Sequence, residues 1–223
     1  MEFISSGLAV TNFLLNPFTR AKTAYNLTKL AWKYNTVKRE KTVPNDIKII
    51  AQFAEIAYSS SRPDELHGLK LDQELSTTET AIYANDQVLI ISFRGTDNKS
   101  DILVSDLQIA LSSLDQNSSR VKSSLKLTRE VMEKYPGHSY LLTGHSLGGS
   151  IGDIVSSITG IPAHTFNIGS SVNTKSECKL CIHHVIKSDP VSNSAIGFLK
   201  GANIVVYDKQ IKNLNPHTIK QFL

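Results

Sequence analysis

Residues 141–149 read Leu141-Leu142-Thr143-Gly144-His145-Ser146-Leu147-Gly148-Gly149, an apolar run that passes straight into Gly-x-Ser-x-Gly and then into Ser150, Ile151 and Gly152. The spacing has a mechanical reason. A serine carried on a sharp turn from strand to helix adopts a strained backbone, so residues without bulk are needed two positions to either side. Such a turn lifts the hydroxyl above the carboxyl edge of a sheet and sets it at the positive end of the following helix, where developing negative charge is favoured. Gly144, Gly148 and Gly149 thus support Ser146 as a candidate nucleophile, flanked by His145 and Leu147. The five-residue pattern alone arises by chance in many chains; between an apolar strand and a small-residue helix it is specific.

On both sides of this stretch strands alternate with helices. Upstream, Asn45 can cap a helix reaching about Ser60, with Ile47, Ile50, Ala51, Ala54 and Tyr58 recurring at three- and four-residue steps. Residues 80–83 and 88–93 read as strands around an Asn85-Asp86 turn, and 119–135 as a helix ended by Pro136-Gly137. Then come a strand (140–143), a helix (146–157) and strands at 163–168, 183–186 and 203–207. This order predicts an α/β fold with a mostly parallel central sheet and helices on both faces, preceded by an N-terminal helical segment.

A second motif fits the same chemistry. The apolar run 88–93 ends in Arg94-Gly95-Thr96-Asp97. Acyl transfer requires two donors aimed at the developing oxyanion: one is the N–H of the residue after the nucleophile, Leu147, and the other comes from a loop after a neighbouring strand. Thr96 offers both an N–H and a hydroxyl. The plainer reading of the same residues is a surface turn capped by threonine.

Phe93-Arg94-Gly95-Thr96, followed about fifty residues later by Gly144-His145-Ser146-Leu147-Gly148-Gly149, resembles the class 3 lipase family of α/β-hydrolases. The likeness runs from about Ile47 to His217. It includes Ala54-Glu55-Ile56-Ala57-Tyr58, similar to the family's early helix, and Thr165-Phe166-Asn167-Ile168-Gly169, similar to its Thr-Phe-Gly strand end. The resemblance implies a triad in the chain order Ser, Asp, His. Asp189, in an Asp-Pro-Val segment after the strand at 183–186, resembles the family's catalytic acid; Asp153 lies two turns into the nucleophile's own helix, and Asp208 is the other downstream aspartate. His217 is the sole histidine after Asp189, which makes it the expected base, against the plainer reading of a surface histidine near a frayed terminus.

The implied activity is hydrolysis of lipid acyl esters, acylglycerol or phospholipid, through an acyl-enzyme on Ser146 and without a cofactor. Two other classes stay open: a catalytically weak or inactive hydrolase module with a structural or assembly role, and a peptidase or transferase using the same triad. The family's usual proline after Gly169 is replaced by Ser170-Ser171, and the 43- and 28-residue steps from Ser146 to Asp189 to His217 imply short pocket loops. Residues 97–118, with Ile102, Leu103, Leu107, Leu111 and Leu114, form either an amphipathic lid or an ordinary packed helix.

Of 223 residues, 40% are hydrophobic and 20% charged, with 12 Gly, 7 Pro and 2 Cys, which excludes disordered, collagenous and disulfide-scaffold classes. The net charge of +4 is unevenly placed. Residues 1–41 hold seven basic and two acidic side chains, and the remainder 17 and 18, so the main body lacks the basic face that nucleic-acid binding requires. Residues 1–41 are therefore expected to stand apart from a compact hydrolase domain, 42–223. Lys22, Lys29 and Lys33 share one stripe of a helix, either as a docking element for a membrane surface or partner, or as a solvated face. No signal peptide or membrane span is expected, and an intracellular, peripherally membrane-associated protein is the reading, with virion association also open. Oligomeric state is not legible. Cys178-x-x-Cys181-x-His183-His184 has the residue types of a zinc site but is one half-motif whose histidines alternate across a strand. Free, partly buried thiols are expected, and metal binding and redox pairing are the rivals.

Overall fold

A computed structural model describes residues 37–96, 114–115, 117–169, 178–196, 203–208 and 211–223. In chain order these form β1 (Lys38–Glu40), α1 (Asn45–Ile56), β2 (Glu65–Leu66), β3 (Leu69–Leu71), β4 (Thr80–Ala84), β5 (Val88–Phe93), α2 (Ser119–Lys134), β6 (Ser139–His145), α3 (Leu147–Thr159), β7 (Ala163–Phe166), β8 (Cys181–Ile186), α4 (Pro190–Ile196), β9 (Asn203–Tyr207) and a 3-10 turn, Ile219–Phe222. The strands lie in one sheet, in the order β1-β9-β8-β7-β6-β5-β4-β3-β2. Pairing is parallel from β1 through β5 and antiparallel from β5 through β2, as the α/β reading requires.

The central strands are continuous apolar runs because both of their faces are covered. In β5, Leu89, Ile91 and Phe93 enter one core cluster, and Val88 and Ile90 the other; in β6, Leu142 and Leu141 divide in the same way. The first cluster lies under α2 and α3, through Val121, Leu125, Val131, Ile151 and Val155. The second lies under α1 and the C-terminal turn, through Ile50, Phe53, Ala54, Ile219 and Phe222. Two sequence signals set the helix ends: the Ser118 side chain accepts from the Val121 N–H at the start of α2, and Gly160 ends α3 at a φ of 73°.

Three differences from the sequence reading matter. First, Lys38–Glu40, expected at the end of the separate basic segment, pair with Val205–Tyr207 as an edge strand of the sheet. The charged run Lys38-Arg39-Glu40 gave no apolar signal because an edge strand needs none, and charged residues there also discourage pairing with another sheet. Residues 1–36, with Lys22, Lys29 and Lys33, lie outside the described residues, as do Ser170-Ser171 and all of 97–118 except 114–115 and 117–118. Leu114 is buried in the α2–α3 core cluster. Second, the helix from Asn45 stops at Ile56 instead of Ser60. Third, Cys178 and Cys181 are not free thiols: they form a buried disulfide, and their Cα atoms, 5.4 Å apart across the turn before β8, have the spacing that such a bond requires.

Phe222 closes the second cluster. Its ring meets Phe166 edge-on at 5.0 Å and Tyr207 at 6.0 Å, and it is fully buried. Phe222→Ala is expected to lower the free energy of unfolding by about 3 kcal/mol, read from the denaturant midpoint at unchanged slope.

Candidate active site

Ser146 sits between the end of β6 and the start of α3 with φ 57° and ψ −124°, a conformation that costs a residue with a side chain about 1–3 kcal/mol. Its surroundings hold it there. A Cβ at Gly148 would strike the Phe93 carbonyl oxygen, and one at Gly144 would come within 2.5 Å of the Gly148 backbone, so α3 can start here only against glycine. The Ser146 N–H donates to the Phe166 carbonyl at 3.0 Å, which ties the turn to β7.

The three residues singled out in sequence converge. Ser146 Oγ lies 2.8 Å from His217 Nε2, and His217 Nδ1 lies 3.0 and 3.1 Å from the two Asp189 carboxylate oxygens. A carboxylate only accepts, so Nδ1 carries the hydrogen and Nε2 is the acceptor for the serine hydroxyl. All three side chains are buried. Asp189 also accepts from the Val191 and Ser192 N–H groups, each at 3.1 Å, and from the Ser192 hydroxyl. Burial pushes its pKa up, but the hydrogen bonds from His217 and Ser192 outweigh this and hold the carboxyl below its ordinary value. The rejected acids lie elsewhere: Asp208 pairs with Lys187 at 3.1 Å, and Asp153 lies 3.5 Å from His183.

Several contacts that position this group were not legible in the sequence, although His145 was singled out there as part of the serine motif. His145 Nε2 donates to the His217 carbonyl at 2.5 Å, which leaves Nδ1 to accept from the Tyr58 hydroxyl at 3.1 Å. Asn167, at φ 41°, accepts the Ile186 N–H at 2.9 Å and donates to the Pro216 carbonyl at 3.0 Å, so it joins the end of β8 to the histidine loop. Gln221 clamps that loop from below, accepting from Ile211 and donating to the Ile211, Leu214 and Asn215 carbonyls. Such contacts join residues distant in the chain, and no local spacing marks them.

The loop after β5 abuts the serine turn. Gly95 faces the Tyr58 hydroxyl and the His145 carbonyl so closely that a Cβ would collide with Tyr58 Oη. Arg120 fastens the loop, donating to the Arg94 carbonyl at 2.6 Å and pairing with Glu79 at 3.0 Å. Arg94 itself donates from its N–H to the Glu79 carbonyl and from its guanidinium to the Thr78 carbonyl. Thr96 follows directly, half-buried. Leu147 opens α3, so its N–H has no acceptor within the helix.

Burial, and after it the neighbouring His217, push the His145 pKa down to about 3; burial alone brings His164 to about 4. His164 Nδ1 meets His184 Nε2 at 2.9 Å, and His184 Nδ1 meets the Tyr207 hydroxyl at 2.9 Å. No helix among the described residues is long and apolar enough to cross a membrane.

Comparison with known proteins follows the geometry. The family model of phospholipase-like proteins described as the Tle-like phospholipase domain matches residues 42–177, a span that holds Ser146 and stops before Asp189 and His217. The Lip2 lipase of Yarrowia lipolytica superposes with a TM-score of 0.51 at 15% identity, over 84% of this chain and 93% of that one. A triacylglycerol lipase described as having a serine protease triad at its catalytic centre gives 0.56 at 15% identity, over 80% and 92%. At such identities the likeness is one of fold: the α/β-hydrolase architecture of the fungal class 3 lipases. The lipase named ATG15 in Candida glabrata is 46% identical over 44 residues, which are 20% of this chain and only 9% of that protein.

Neutral buried histidines make the fold sensitive to acid. With folded pKa values near 3 and 4 against an ordinary 6.5, His145 and His164 leave the unfolded chain holding more protons in that window. Their contribution is complete above about pH 6.5 and is lost as pH falls through the folded values. Stability should therefore fall as pH drops below about 6.5, each such histidine adding at most about 1.4 kcal/mol per pH unit to the slope, read from urea midpoints between pH 7 and 4.5.

Proposed function

This chain belongs to the phospholipase-like family of Tle-like phospholipase domains, and from that premise we propose that it cleaves the acyl ester bonds of lipids with Ser146 as nucleophile, His217 as base and Asp189 as the orienting acid. Ester hydrolysis is the chemistry of its family, and a lipid ester is the substrate class. The observation that carries the residue assignment is the unbroken chain from Ser146 Oγ through both imidazole nitrogens of His217 to Asp189.

In the proposed reaction His217 Nε2 takes the proton of Ser146 as its oxygen attacks the ester carbonyl carbon. The tetrahedral oxyanion is met by the Leu147 N–H, at the positive end of α3, and by Thr96. Collapse expels the alcohol, which receives the proton from Nε2, and leaves the acyl group on Ser146. Water then attacks the acyl-enzyme while His217 takes its proton, and the second collapse frees the fatty acid as Nε2 returns that proton to the Ser146 oxygen. Asp189 holds the imidazolium in place during both transfers. The family description favours a phospholipid over a neutral glyceride. The net positive charge of residues 1–41 supports docking on an anionic lipid surface.

Ser146→Ala and His217→Ala should each lower kcat on a short-chain nitrophenyl ester by at least about 10⁴-fold, and Asp189→Asn by about 10³–10⁴-fold. A fluorophosphonate probe should label the native chain and not Ser146→Ala. An unlabelled native chain would assign the fold to the non-catalytic alternative.

The docking proposal has its own check in the full chain. Replacing Lys22, Lys29 and Lys33 together by Gln should weaken binding to vesicles rich in anionic phospholipid by roughly 100-fold, at about 1 kcal/mol per lysine, and leave hydrolysis of a soluble ester unchanged. Unchanged vesicle binding in a sedimentation assay would refute it.

A further inference from the structure

Ser146, Asp189 and His217 sit on three separate segments, and the end of β7 touches all of them. The Phe166 carbonyl accepts the Ser146 N–H at 3.0 Å. The next residue, Asn167, is fully buried, and its carboxamide spans the other two segments: Oδ1 accepts the Ile186 N–H at 2.9 Å, and Nδ2 donates to the Pro216 carbonyl at 3.0 Å. The Ile186 carbonyl in turn accepts the Asp189 N–H at 2.9 Å, and Pro216 adjoins His217. One side chain thus runs alongside the Asp189–His217 hydrogen bonds and joins the backbone of the acid to the backbone of the base. We infer that Asn167 is a positioning residue whose carboxamide sets the registry of His217 against Asp189, an inference that rests on the triad proposed above.

The end of β7 explains why a side chain has this task. Backbone pairing of β7 with β8 stops at Phe166 and His184, whereas β8 continues to Ile186. The Asn167 N–H donates to the His184 carbonyl at 2.8 Å, and beyond that bond its Oδ1 takes over as the acceptor that the buried Ile186 N–H requires. His145 and Gln221 hold the histidine loop to the serine turn and to itself. Asn167 ties that loop to the strand that leads to Asp189.

A carboxamide suits both bonds because it carries an acceptor and a donor in one fixed plane; an ionised carboxylate has no donor, and a hydroxyl is a single atom. At φ 41° the backbone lies in the region that favours glycine, and asparagine is among the few residues with a side chain that adopt it readily. Glycine would therefore keep the backbone and remove only the link. Both side-chain bonds go to main-chain atoms, so their effect on the reaction passes through the placing of Asp189 and His217. A catalytic group displaced by about 1 Å costs on the order of 100-fold in rate.

The test uses the full chain and the short-chain nitrophenyl ester, with kcat counted per site titrated by the fluorophosphonate. Asn167→Gly should lower kcat per titrated site by about 10- to 100-fold and leave KM within about twofold. In the Asp189→Asn background the same change should cost less than about threefold, because registry between acid and base has no value once the acid is gone. Asn167→Asp is a second variant of nearly the same shape. At about pH 9 its ionised carboxylate accepts from Ile186 but offers Pro216 no donor, so it should show a similar loss. Native kcat per site in either variant, a change confined to KM or to the thermal midpoint, or the full loss repeated in the Asp189→Asn background would overturn the inference and leave the triad standing. A native chain that neither hydrolyses the ester nor takes the label would overturn the triad and this inference together.

Discussion

The close approach of α3 to the end of β5 governs the rest of the molecule. Gly148 rests against the Phe93 carbonyl, and no side chain fits between them. That contact lets the helix begin at the carboxyl edge of the sheet, and the Ser146 turn is its consequence, bent to a positive φ and fastened to β7 through the Phe166 carbonyl. Parallel pairing of β5, β6 and β7 then brings the loop carrying Arg94-Gly95-Thr96 and the strand end at Asn167 beside the same turn. The stored strain is of order 1–3 kcal/mol, a cost that a core apolar on both sheet faces can absorb.

The histidine loop is held differently. His217 belongs to no helix or strand of its own, and its place is fixed by a ring of hydrogen bonds to its backbone and neighbours: His145 and Asn167 from above the sheet edge, Gln221 from below, and Asn215 capping its own N–H. Phe222 packs the end of the loop against Phe166 and Tyr207, the residues that end β7 and β9. Orientation of the imidazole thus depends on the apolar core as much as on Asp189. The same burial that orders these side chains keeps His145 neutral, so it serves as a fixed donor to the His217 carbonyl.

Much of this was legible in residue order. Apolar runs at 88–93 and 140–143 mark strands buried in the sheet, the second extended in the structure to Ser139–His145, and Gly144, Gly148 and Gly149 mark a turn where only glycine fits, because such needs are met by neighbours in sequence. The edge strand Lys38–Glu40 was invisible: its pairing comes from β9, some 165 residues on, and its charges look like a solvated face. The cysteine pair was misread for a related reason. Its spacing is compatible with thiols, a disulfide or a metal, and the fold sets the two Cα atoms 5.4 Å apart, where a disulfide forms.

The sequence by itself determined the fold class and the Ser146 turn, since strand periodicity and glycine placement are local properties; it singled out Asp189 by resemblance and His217 as the sole histidine after it. Only the tertiary structure decided that Tyr58, His145, Asn167 and Gln221 steady the histidine, and that Asp153 lies against Cys178 and Cys181. The physical reason is distance along the chain. A hydrogen bond or a side-chain contact links residues through space, whereas sequence patterns record only what each segment requires of its immediate neighbours.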